Sequence, residues 1–215
     1  PYGESAKVES LSEAREMAED FGRVGTNLGM HIECAITRGE QPIGRGIGPV
    51  LEARDVLAVL EGTGPRDLRV KSECIAQVLL DEAGVDETAT ELLESGDAAA
   101  KFREIIAAQN GDPDISLADL TPGRCRSTVH ASNGGVVTHV DNRQVNELAR
   151  RGGAPKDRAA GIALHCQLGD EVQRDDSLFT IHAEKEEKLE QARACAERAR
   201  LVYVLPQPDP LVEQG

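Results

Sequence analysis

Tryptophan is absent from this sequence, and two tyrosines and three phenylalanines bring the aromatic share to only 2% of 215 residues. Lysine is scarce as well, occurring only at positions 7, 71, 101, 156, 185 and 188, so arginine supplies most of the positive charge. No apolar run approaches the roughly 20 residues needed to span a bilayer, which excludes a transmembrane helix. Pro1-Tyr2-Gly3-Glu4 offers neither the basic start nor the apolar stretch of a signal peptide, and a cytoplasmic protein is expected. Its first residue is not Met, and the expectation is a chain that begins inside a longer protein. The five cysteines, Cys34, Cys74, Cys125, Cys166 and Cys195, include no C-x-x-C pair. An odd number without that spacing argues for free thiols in a reducing compartment rather than a zinc site or a disulfide framework. Ser-His-Asp order, a G-x-S-x-G elbow, H-E-x-x-H and a P-loop are all missing.

What is abundant is acid. The formal charge is −14, from 38 acidic against 24 basic residues. That balance repels a nucleic-acid backbone, so no nucleic-acid partner is expected. Many carboxylates with few lysines and aromatics suit a protein kept soluble in concentrated salt, where screening quenches self-repulsion. An ordinary acidic enzyme is the plainer alternative. A hydrophobic share of 40% is enough for a globular core.

Two lobes are legible. In the first, Ser10 and Glu13 form a capping-box start, and Leu11, Ala14, Met17, Ala18, Phe21, Val24 and Leu28 recur at helical spacing, predicting one buried face that ends at Gly29. Residues 31–37 alternate as a strand would. Gly39 to Gly48 is a glycine-rich loop, and Pro49 suits the first turn of a helix running to about Leu60. Further helices are predicted near 68–80, 88–93 and 98–109, the last with Phe102, Ile105 and Ile106 inward. The segment around Pro113 and Pro122 reads as a joint.

The second lobe alternates at Cys125, Ser127, Val129 and Ala131, then turns at Asn133-Gly134-Gly135 into a strand at 136–140. Asp141 and Gln144 open a short helix that stops at Gly152-Gly153. Strands at 162–166 and 178–183 flank a Gly169-Asp170 turn, and a charged helix from about 185 to 201 precedes a Pro-rich tail. The expected class is α/β plus α+β: residues 1–111 as part of an α/β domain, 112–122 as linker, 123–207 as a smaller α+β lobe with antiparallel strands, and 208–215 as tail.

The loop Gln41-Pro42-Ile43-Gly44-Arg45-Gly46-Ile47-Gly48-Pro49 admits two readings. Between a strand and a helix, its N–H groups could receive an anion; alternatively its glycines allow close backbone packing or positive φ. Residue pattern alone favours the second. Lys7, after Gly3 and Ser5, could meet an anionic or carbonyl group of a ligand, although a lone lysine is by default solvated. His130, His139, His165 and His182 fall on strand patterns without metal-ligand spacing, which points to sheet positions and no metal. The run 168–178 has the Gly-Asp turn of biotinyl- and lipoyl-type modules. No lysine stands at the Asn133-Gly134 tip, which argues against a carrier role, and a packing role is expected.

Three stretches resemble the archaeal AMP phosphorylases, which belong with the thymidine and pyrimidine-nucleoside phosphorylases. They are Gly3-Glu4-Ser5-Ala6-Lys7, then Glu33-Cys34-Ala35-Ile36-Thr37, then Gln41 to Pro49 continuing into Leu51-Glu52-Ala53-Arg54. Ala107-Ala108-Gln109-Asn110-Gly111 and Ile181-His182-Ala183 match the same family. The resemblance implies the C-terminal half of such an enzyme, with its phosphate loop and general acid outside this chain and no catalytic residue within it. It also implies that Lys7 binds substrate. Nucleoside-specific relatives carry an apolar or aromatic residue there, and a lysine where this chain has Pro1; both differences favour a nucleotide. In the bacterial pyrimidine branch a potassium ion lies near the glycine loop. The matching positions are the carbonyls of Ile43 and Gly46 and the carboxylate of Asp55, which is shorter than the glutamate usual there.

The implied reaction is phosphorolysis of AMP, and also of CMP or UMP, to free base and ribose 1,5-bisphosphate. Phosphate is the co-substrate, and neither cofactor nor metal is assigned. A homo-oligomer is expected. A thymidine or pyrimidine-nucleoside phosphorylase is the enzyme alternative, and a non-catalytic binding or assembly module is the alternative for the isolated chain.

Overall fold

A computed structural model describes residues 1–4 and 6–205. It divides into two compact units: Pro1–Gly44 with Asp55–Asp119, and Arg45–Arg54 with Leu120 onward. The architecture is of the α/β plus α+β class, mixing helices with antiparallel strands. Residues 45–54, which include half of the glycine loop, group with the second unit.

In the first unit, α1 (Leu11–Asn27) opens at Ser10, whose side chain accepts the Glu13 amide at 3.2 Å. Glu13 in turn accepts the Glu9 amide at 2.9 Å, one residue before the usual capping-box donor. The helix stops at Gly29, φ +71°. Its apolar stripe is not buried as expected: Phe21 is 55% and Leu28 69% exposed. Ile105 on α5 (Asp97–Ala108), expected inward, is also exposed. Apolar periodicity shows which face of a helix can be buried, and these faces lack a covering element among the described residues.

The strand expected at 31–37 does not form. A strand needs a backbone partner, and among the described residues the main chain here is met only by Tyr2, which bridges Arg38 in parallel and donates its N–H to Thr37 O at 2.9 Å. Three further helices begin or end where local signals predict. α3 (Arg66–Ala83) closes on left-handed Gly84, and α4 (Ala89–Glu94) opens on a Thr88–Glu91 capping box. α2 (Pro49–Leu60) begins at Pro49, and the boundary between the units falls within it.

The second unit holds the deeply buried core. One antiparallel sheet has the order β1 (Gly46–Ile47), β4 (Gly161–Leu164), β6 (Ser177–Ala183), β2 (Cys125–His130). A second has the order β5 (Glu171–Val172), β3 (Gly135–Val140), β7 (Val202–Leu205). The helices α6 (Asn142–Gly152) and α7 (Glu186–Ala196) supply Leu148, Leu189 and Ala192 to a core that includes Val137, Ile162 and Ile181. Asp141 caps α6 by accepting the amides of Arg143 and Gln144 at 2.9 and 3.0 Å. Gly153, φ +120°, ends it.

Two expectations are corrected here. Asn133-Gly134 does not close a hairpin between paired strands, because β2 pairs with β6 while β3 pairs with β5 and β7. The turn passes the chain from one sheet to the other. The last helix ends at Ala196 rather than near 201, because Leu201 is buried in the core and its carbonyl accepts the Asp141 amide at 2.9 Å. The next residues form β7. The tail at 208–215 lies outside the described residues.

Candidate functional site

Lys7 is exposed on a short loop closed by two backbone bonds, Gly3 N–H to Val8 O and Ala6 N–H to Gly3 O, each 3.0 Å. Tyr2 bridges Val8 and Arg38 in parallel, and the Gly39 amide donates to Tyr2 O at 2.8 Å. The loop that presents Lys7 is therefore fastened to the stem of the glycine-rich segment. The ammonium stands at the end of a flexible stem on a backbone held from both sides. Ser5 lies outside the described residues.

The glycine loop itself is occupied by packing. On its first side, the Gly44 amide donates to Asp67 Oδ2 at 3.1 Å. A Cβ on Gly44 would stand 2.6 Å from Asp55 Oδ2. On its second side, Gly46 and Ile47 pair with Ala163 and Ile162. A Cβ on Gly46 would meet Leu51 O at 2.4 Å, and one on Gly48, φ +125°, would meet Ala160 O at 2.4 Å. The Gly48 amide donates to Glu52 Oε1 at 2.9 Å, so this helix start already has its acceptor. Of the two readings of the loop, close backbone approach is the one the geometry bears out, and it leaves fewer amides for an anion.

Ile43 and Asp55 belong to the first unit and Gly46 to the second, where it serves strand pairing. The four second-unit histidines each have an ordinary partner. His130 Nδ1 lies 2.9 Å from Asp175 O, His165 Nε2 lies 2.8 Å from Thr180 Oγ1, and His182 Nδ1 lies 3.1 Å from Gly123 O. His139 meets Tyr203 edge-on at 5.3 Å. Burial pushes the pKa values of His165 and His182 down; the neighbouring histidines add to the effect at His165, while at His182 the bond to Gly123 opposes it and Arg126 and Arg54 add to it.

One side-chain cluster escaped sequence reasoning. His31 Nε2 lies 3.1 Å from Glu33 Oε1 and 3.2 Å from Glu82 Oε2, all three exposed. Glu82 is remote in sequence, so no spacing rule finds it. An imidazole between two carboxylates is an ion pair when protonated, and solvent exposure keeps its contribution small. An apolar cleft of about 420 Å³ lies in the first unit, with Val56, Val59, Leu68, Leu79 and Leu92 among its walls. It contains neither Lys7 nor any residue of the glycine loop.

Residues 136–201, which form β3 through α7, match the family model of the pyrimidine nucleoside phosphorylase C-terminal domain. That segment of the second unit is thus similar to a domain of the nucleoside-phosphorylase class. More particularly, the chain is 54% identical over 220 aligned residues to AMP phosphorylase of Natronomonas pharaonis, a match that covers 100% of this chain and 44% of that protein. Identity to AMP phosphorylase of Pyrococcus horikoshii is 46%, and to that of Methanosarcina barkeri 44%, each match covering 95% of this chain and 42% of the relative. The chain is thus similar to AMP phosphorylases along nearly all of its own length, and it spans less than half of theirs. Among the described residues, no helix is long and apolar enough to cross a membrane.

Proposed function

We propose that this chain is part of a phosphorylase that cleaves nucleoside 5′-monophosphates, AMP and also CMP or UMP, to free base and ribose 1,5-bisphosphate. The observation that carries the reading is similarity to AMP phosphorylases along the whole chain, reaching 54% identity. A phosphate oxygen attacks C1′ of the ribose as the C1′–N bond breaks. The bonding pair leaves with the base, which takes up a proton. Positive charge develops on the sugar and negative charge on the base, so catalysis consists of orienting phosphate and meeting that charge.

Lys7 is the substrate-binding residue within this reading. Its ammonium is a compact cation, and a charge-assisted hydrogen bond to a phosphate or to an electron-rich base atom is stronger than a neutral one. A loop closed at Gly3 and Val8 gives that cation a defined origin. Phosphorolysis uses phosphate itself as nucleophile and needs no cofactor. The proposal extends to a homo-oligomeric enzyme of the cytoplasm, consistent with its −14 charge in a salt-rich solvent. This chain by itself is proposed to be inactive.

The test is phosphorolysis of AMP, CMP, UMP and thymidine by the intact enzyme that carries this chain. Release of adenine and ribose 1,5-bisphosphate from AMP is expected, whereas activity on thymidine alone would overturn the reading. Lys7→Ala should raise KM for the nucleotide by roughly 10- to 100-fold, the worth of one hydrogen bond to a charged group. Unchanged kinetics would remove Lys7 from the site.

A further inference from the structure

The Lys7 loop is seated on backbone, and one residue makes that seating possible. Gly3 is buried, with φ +153°. A Cβ built on it would stand 3.0 Å from both Gly39 C and Glu40 N, and 3.2 Å from Gly39 O. Distances this short to a main chain cannot be relieved by turning a side chain, so one of the two segments must move. From the opposite side, a Cβ on Gly39 would stand 3.2 Å from Pro1 Cβ and 3.5 Å from Tyr2 O. Two glycines therefore face one another where residues 1–3 cross residues 39–40. The bonds that hold the crossing are Tyr2 N–H to Thr37 O at 2.9 Å and Gly39 N–H to Tyr2 O at 2.8 Å. The bond that closes the Lys7 loop, Gly3 N–H to Val8 O at 3.0 Å, comes from the same residue.

We infer that Gly3 is a positioning residue for Lys7, because its missing side chain lets the loop 3–8 dock on Gly39 and Glu40 and so fixes where the ammonium stands. Gly3 contacts no substrate in this scheme. It acts through the origin of the Lys7 stem and through the register of the Lys7 loop against the glycine-rich segment. The inference rests on the proposal that Lys7 binds the nucleotide. A shift of about 1 Å in a binding group can cost as much as 100-fold in rate, and an alanine at Gly3 must displace the loop by a few tenths of an ångström to restore ordinary contact.

The experiment compares Gly3→Ala, Lys7→Ala and the double variant in the intact enzyme, with KM and kcat for AMP and KM for phosphate. Gly3→Ala is expected to raise KM for AMP roughly 5-fold while KM for phosphate changes less than about twofold. On the Lys7→Ala background it should add less than about twofold, because the group it positions is gone. Gly39→Ala meets a proline side chain rather than a main chain, so it should give a smaller rise of the same sign, and it serves if Gly3→Ala does not fold. Independent, multiplying effects of Gly3 and Lys7, or an unchanged KM for AMP in folded Gly3→Ala, overturn the inference. If Lys7→Ala is itself silent, the substrate role of Lys7 fails first; if only Gly3→Ala is silent, that role stands and the positioning role falls.

Discussion

Replacing Gly48 by alanine separates a glycine loop that packs from one that waits for a ligand. Gly48 has φ +125°, and a Cβ there would lie 2.4 Å from Ala160 O and 3.0 Å from Gly161 Cα. A non-glycine residue held in such a region costs about 1–3 kcal/mol. Relief of the overlap requires β1 to move away from residues 160–161. That motion endangers the Val50 N–H bond to Arg158 O, 3.1 Å, and the Gly48 N–H bond to Glu52, 2.9 Å. Each is worth a net ~0.5–1.5 kcal/mol, so Gly48→Ala should destabilise the second unit by about 2–6 kcal/mol in all. Gly169 is the control in the same unit, with φ +92° and no atom within 4 Å of a built Cβ. Gly169→Ala should show the backbone strain alone, ~1–2 kcal/mol. Because the sequence has no tryptophan, unfolding is best followed by far-UV circular dichroism in denaturant, at high salt to suppress charge repulsion. A Gly48→Ala cost no greater than that of Gly169→Ala would show that the backbone approach at Ala160 is dispensable and would return the loop to candidacy as an anion site.

Stability should also fall on mild acidification. Burial holds the folded-state pKa values of His165 and His182 below their ordinary 6.5, so the unfolded chain binds protons first as pH drops through that value. Stability is full above about pH 6.5 and declines as pH falls from there toward the depressed folded values; a denaturation midpoint that does not move between pH 7.5 and 5.5 would refute this. The thiols should divide by burial. Cys34 and Cys74 are exposed, whereas Cys166 is 2% exposed with its pKa raised to about 11, chiefly by burial. Alkylation at pH 8 read by mass spectrometry should label Cys34 and Cys74 in the native protein and Cys166 only after unfolding. Asp141→Ala removes the acceptor for two α6 amides and should cost about 0.5–2 kcal/mol in denaturant unfolding; no measurable loss would mean that water replaces the cap without penalty.

Local signals in the sequence were read well, and pairing at long range was not. Pro49 places the start of α2, Thr88 and Glu91 place α4, and Asp141 with Gly153 bound α6, because each signal lies within a few residues of the boundary it sets. β1 has two residues and no periodicity, and it exists only because Gly46 and Ile47 meet Ala163 and Ile162, more than a hundred positions away. β7 was hidden behind a Pro-rich tail, and its partner β3 lies some sixty residues earlier. Asn133-Gly134 gave a correct turn and a wrong partner, since a turn signal fixes direction but not which strand lies alongside. In the first unit, helical periodicity identified the apolar stripe of α1 but could not tell whether anything covers it. Lys7 stood out only by family resemblance, because an exposed lysine carries no local mark of function.

The two sequence features singled out at the start now have different weights, and a single segment connects them. Gln41 to Pro49 looked like the richest candidate, yet its Gly46–Gly48 half is taken up by strand pairing and a helix start. Lys7 looked like the weakest, yet its loop is closed by its own backbone and crosses the chain just ahead of that segment at Gly39 and Glu40. If Lys7 binds substrate as proposed, the glycines at 3 and 39 have more to do with substrate than those at 46 and 48, although the latter form the more conspicuous pattern. A glycine motif serves a ligand when its backbone is left unspent, and it serves the fold when another main chain lies against it. Here the main chain against Gly48 belongs to β4 and its approach, whereas the main chain against Gly3 is what holds a cation in place. Substitutions at Gly46 and Gly48 should accordingly be read in stability, and those at Gly3 and Gly39 in nucleotide KM.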